Sequence, residues 1–114
     1  MKHATIWERR WFQVILCGRD PGEAWPTVRG QQEQEATFMV GEHDTVDGWV
    51  AKYREQIEQS RAVAASLDLD SSCARTDLIE CNLRYVLFHR IEETARHAGR
   101  ADIIRETLDG SRGI

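Results

Sequence analysis

The stretch NLRYVLFHRIEETARHAGRADIIRETLDG, residues 82–110, decides the fold class. Leu83, Val86, Leu87, Ile91, Thr94, Ala98, Ala101, Ile104 and Leu108 follow one another at three- and four-residue steps. That spacing keeps side chains on one face of an α-helix, so it predicts a long helix over about 82–109. Asn82 carries the short polar side chain that caps a helix start, and Gly110 supplies the stop. Gly99 inside this helix costs roughly 1 kcal/mol against alanine. A glycine in such a place permits close approach of backbone or ligand.

Two further helices are legible upstream. Ile6, Trp7, Trp11, Val14 and Ile15 recur at helical spacing over about 2–17, and Gly18 closes the segment. Trp49, Val50, Tyr53, Ile57, Ala64 and Leu67 form the apolar stripe of a helix over about 45–67. It starts at Asp44 or Thr45, with Asp47 favourable in its first turn. Glu55 with Gln59, and Glu58 with Arg61, read as its solvated face. Between Gly18 and His43 runs a long connection holding Pro21, Pro26 and four glycines. Such length without regular structure marks a functional or mobile loop. Within it, residues 37–40 read as a short extended piece docking apolar side chains. A second polar connection covers about 68–81, and the whole chain, 1–114, reads as one all-α domain.

Composition narrows the function classes. Hydrophobic residues make up 41% and charged residues 30%, the balance of a soluble globule rather than a disordered chain. The net charge is -4 and the basic residues are scattered, which argues against nucleic acid as a partner. The longest apolar run, Val14 to Cys17, is far too short to span a membrane. No apolar core of a signal peptide stands at the N-terminus. Cys17, Cys73 and Cys81 are odd in number and form no CxxC pair, so the expectation is no disulfide and a cytoplasmic setting. Cys17 and Cys81 read as small buried hydrophobes, and Cys73 as exposed in a polar loop.

His89, Glu93 and His97 are spaced four apart and lie along one slowly turning stripe of the last helix. Glu93 and His97 can therefore reach one ion together, as bundle metal sites do with paired side chains. Taken alone, such a pair is more often a surface pair, and one helix cannot complete a site. A catalytic zinc takes three protein ligands and leaves a position for water or substrate. Other chemistry is thin. Trp7 and Trp11 read as core, His43 as solvated, and no phosphate-binding glycine loop or nucleophile elbow is present.

Residues 86–106, followed by Leu108-Asp109-Gly110, resemble the last helix of DinB-like proteins, in an actinobacterial branch that includes mycothiol-dependent enzymes. The resemblance implies a four-helix bundle whose metal is held by one His from the second helix and a pair four apart from the last. Glu93 and His97 match that pair. His3, followed after four residues by Glu8-Arg9-Arg10-Trp11-Phe12, matches the segment that carries the remaining ligand. Relatives carry a whole helix before this segment, so the resemblance implies a bundle reduced to three main helices, or a start upstream. It also leaves His3 on a first turn that frays, a weaker anchor than mid-helix Glu93 and His97. Relatives often have His where Arg100 stands. His89 reads as a packing or supporting neighbour of the ligands rather than a ligand. Arg90, Arg96 and Arg100 are candidates for orienting substrate carboxylates.

The implied function is a divalent-metal-dependent transferase or isomerase using a low-molecular-weight thiol such as mycothiol. Zinc is the expected metal, and two histidines with one carboxylate also suit iron or nickel. The alternative is a non-catalytic relative acting as a metal-binding or interaction protein. A missing helix would leave an apolar groove lined by Trp7, Trp11, Val14, Leu87 and Ile91, which a twofold homodimer would cover.

Overall fold

Six consecutive residues, Trp11 to Leu16, are all buried. Six residues of helix turn through more than a full circle, so this segment must be surrounded rather than packed on one face. A computed structural model, describing residues 1–22, 25–26 and 28–113, shows how. Helix α1 (Lys2–Arg9) runs without a break into a π-helical segment (Arg10–Leu16). The wider π turn is visible in Cys17, whose N–H donates to the Phe12 carbonyl at 3.3 Å. Helices α3 (Val46–Ala65) and α4 (Leu83–Asp109) both pack against the π segment, and α3 also lies along α1. Trp11, Phe12, Ile15 and Leu16 meet Val63 of α3 and Leu83 and Val86 of α4 in the core.

The helix ends follow the residues that announce them. Gly18 adopts φ +69° and returns its N–H to the Val14 carbonyl. The carbonyls of Ile15 and Leu16, left over at the helix end, accept from Arg75 and Ala74, each at 3.0 Å. Thr45 Oγ1 accepts from Gly48 N at 3.1 Å to cap α3, and Asn82 Oδ1 accepts from Tyr85 N at 2.9 Å to cap α4. Gly110, at φ +74°, closes α4.

The all-α architecture is as expected, with four helices and no strand among the described residues. Its details correct the sequence reading in four places. The long connection holds a short helix, α2 (Gln31–Ala36), and buries Val28. Residues 37–40 continue from α2 as turns, with Phe38 and Met39 donating back to Glu35 and Ala36. They are not an extended strand, and Phe38, Met39 and Val40 are largely exposed, with Phe38 stacked on His3.

On α3 the fully buried residues are Gln56, Ser60 and Val63; the expected Trp49, Val50, Tyr53, Ile57 and Ala64 are half-buried on the same side, and Leu67 is exposed. On α4, burial stops at Arg90: Ile91, Ile103, Ile104 and Leu108 are all exposed. Periodicity identifies a face but not its neighbour, and α4 packs chiefly through the part beside the π segment. The expected open groove is accordingly displaced. Trp11 and Val14 are buried, Trp7 and Leu87 half-buried, and the open apolar surface is carried by Phe88, Ile91 and the outer half of α4.

The cysteines are the fourth correction. Cys73 is buried, not exposed, and is paired with Cys81 in a disulfide with Cα atoms 5.5 Å apart. The turn between them brings Cys73 N onto Cys81 O at 2.8 Å beside the Ser72–Asn82 bridge. Pairing requires only that the chain fold back, which a count of cysteines does not reveal. Cys17 is free. No helix among the described residues is long and apolar enough to cross a membrane.

Candidate metal centre

His3 lies on the first turn of α1, where a helix has neither preceding turn nor neighbour to hold it. Here that turn is tied down. Lys2 Nζ donates to the Met39 carbonyl at 2.8 Å and pairs with Asp44 at 2.9 Å. Asp44 also accepts from Gly41 N and from Trp49 Nε1, each at 2.7 Å. The Gly41 amide, then Lys2 and Trp49, hold its carboxyl well below the usual carboxylate range. His3 itself is clasped by the segment after α2. Its Nδ1 lies 2.6 Å from Thr37 Oγ1, and Phe38 stacks on its ring at 3.8 Å between centroids. The first turn that position alone would leave to fray is thus held by side-chain contacts.

From α4, His97 approaches edge-on, its ring centroid 4.8 Å from that of His3. One turn earlier, Glu93 Oε2 lies 3.7 Å from His97 Nε2, and Glu93 Oε1 pairs with Arg96 at 2.7 Å. His3, Glu93 and His97 thus line one cavity of about 310 Å3, although the first and last are at opposite ends of the chain. Trp7, Trp11, His89, Arg90, Gln34 and Phe38 complete its wall. The indole N–H of Trp7 is buried with no hydrogen-bond partner among the described residues.

The donors fit a divalent ion in kind. Two imidazoles and a carboxylate suit zinc, and ligands about 2.1 Å from a tetrahedral ion lie about 3.4 Å from one another. The His97–Glu93 separation is a few tenths of an ångström beyond that. Burial, then the charges of His97 and Arg90, push the His3 imidazole down to about 4, so it is neutral at ordinary pH, as a ligand must be. The side chains do not converge on a common point: among the described residues no three His, Cys, Asp or Glu stand in a metal-holding group.

The remaining predicted residues divide. His89 is half-buried and lines the cavity, but packs on Tyr85 and Trp11 rather than on His3 or His97. Arg90 lines the cavity from below, its Nε donating to Glu8 Oε2 at 3.2 Å in a pair that is only 10% exposed on each side. Arg96 is engaged by Glu92 and Glu93, and Arg100 is exposed and away from the cavity wall. Sequence reasoning missed Thr37, Gln34 and Phe38. The one signal was their position in a connection too long to be a mere link.

The all-helical fold, with four helices and no strand among the described residues, is that expected of the DinB-like class. The model of a family described as mycothiol-S-transferase matches residues 1–110, and the chain belongs to that family. Among curated proteins and solved structures no match was found.

Proposed function

We infer that this protein is a metal-dependent transferase that joins a low-molecular-weight thiol, mycothiol being the family's, to an electrophile. The observation that carries the reading is the meeting of His3, Glu93 and His97 on one cavity wall. These residues would hold a divalent ion, zinc first, with iron or nickel as alternatives. Bound there, the ion supplies Lewis acidity that keeps a thiol sulfur ionised at neutral pH. Two neutral imidazoles and one carboxylate leave the site with net positive charge, which favours an anionic ligand. The chain's own residues do the rest. Arg90, fixed by Glu8, lines the cavity and is placed to orient an anionic group of the thiol compound.

Metal analysis of protein purified without a histidine tag, followed by a conjugation assay with mycothiol and an electrophile, is the test. About one equivalent of metal and thiol-dependent turnover are expected. Metal-free protein that neither gains zinc nor turns over would overturn the reading.

The exposed Ile91, Ile104 and Leu108 on α4 favour a second reading, association through that helix as a homodimer, with or without turnover. Sedimentation equilibrium distinguishes it: a 13.1 kDa monomer at tens of micromolar excludes self-association there.

A further inference from the structure

Thr37 is 1% exposed at the end of α2, and its hydroxyl has two neighbours at hydrogen-bond distance. The Gln34 carbonyl oxygen lies at 2.6 Å and His3 Nδ1 at 2.6 Å. A hydroxyl has one proton and two lone pairs, and a carbonyl oxygen has no proton to give. The Thr37 proton must therefore go to Gln34, which leaves the hydroxyl able only to accept from His3. His3 Nδ1 consequently carries a hydrogen, and in the neutral ring Nε2 is bare. Phe38, the next residue, stacks on the same imidazole with 14° between planes and restricts its rotation. One short segment thus sets both the tautomer and the plane of a side chain from another helix.

We propose that Thr37 is a positioning residue that locks His3 in the Nδ1–H tautomer and so presents a bare Nε2 to the cavity. The inference rests on the metal reading only for its purpose; the tautomer is a property of the chain itself. A ligating histidine commonly donates its other ring N–H to a fixed acceptor, which orients the ring and raises its basicity. Here the acceptor is a hydroxyl polarised by its own bond to a helix-end carbonyl. Gln34 O takes the Thr37 backbone N–H as well, at 3.1 Å, so the hydroxyl is held on a closed turn.

Nitrogen-15 NMR of the histidine rings in metal-free protein at pH 7.5 is the direct test, and it needs no variant. His3 should show the Nδ1–H tautomer; an Nε2–H ring in the parent protein overturns the proposal. Thr37→Ser, which keeps the hydroxyl, should leave the tautomer and the zinc affinity unchanged. Thr37→Val, nearly isosteric, should release the tautomer and lower zinc affinity by about 10–100-fold. Thr37→Val that keeps the parent tautomer, or Thr37→Ser that loses it, overturns the role. If the parent binds no zinc, the metal reading fails, while the ring spectra of parent and variants still decide the role of Thr37.

Discussion

Glu8 on α1 and Arg90 on α4 form an ion pair across the bundle, Nε to Oε2 3.2 Å, with about nine-tenths of each side chain out of water. They are 82 residues apart in sequence and join the two helices that supply His3 and His97. Removing one partner strands the other charge in the interior. Glu8→Ala should therefore destabilise by about 3–5 kcal/mol. Replacing both at once, Glu8→Leu with Arg90→Met, should cost far less, because no orphan charge remains. Urea unfolding of the single and double variants checks this; equal losses in both would show that the pair stabilises by geometry rather than by mutual neutralisation.

His97→Ala and His3→Ala should both abolish retention of metal through dialysis against a chelator. Position alone would rank His3 as the weaker ligand, at the first turn of its helix. The contacts of Lys2 with Asp44, and of His3 with Thr37, hold it in place. Retention by His97→Ala equal to the parent protein would remove the site assignment altogether.

Acid should weaken the metal-free fold through His3. Its imidazole is pushed from 6.5 to about 4 by burial and by the charges of His97 and Arg90. In the unfolded chain it takes up a proton near 6.5, whereas the folded chain resists until about 4. Between those values the unfolded state holds more protons, so stability rises with pH. The contribution is fully present above 6.5 and is lost progressively as pH falls to about 4. Unfolding midpoints at pH 7.5 and pH 5 should differ less in His3→Gln than in the parent; an unchanged difference would show that His3 is not the group responsible.

The Cys73–Cys81 disulfide pins the segment whose amides cap the π helix at Ile15 and Leu16. Its loop is short, with a sequence separation of 8, so the loss of unfolded-state entropy it imposes is modest. Cys73→Ser with Cys81→Ser should lower stability by roughly 2–3 kcal/mol while leaving the helical circular dichroism intact. Mass spectrometry of the alkylated protein reports the pairing itself, and three free thiols in the native, unreduced protein would contradict it.

The features legible in the residues alone are local. Helix starts at Thr45 and Asn82 and stops at Gly18 and Gly110 depend on one side chain or one backbone conformation, within a turn of where they act. Glu93 and His97 were legible for the same reason, since four residues of helix bring them onto one face. His3 could be joined to them only through its likeness to a family pattern, because no periodicity connects opposite ends of a chain. Tertiary structure alone decided that α3 buries Gln56 and Ser60, and that the outer half of α4 stays bare. It alone paired Cys73 with Cys81 and brought Thr37 to His3. Those outcomes depend on which surface meets which across long sequence separations. An amphipathic stripe states that a face is apolar, but the partner that covers it, or leaves it open, is set by how the helices stack.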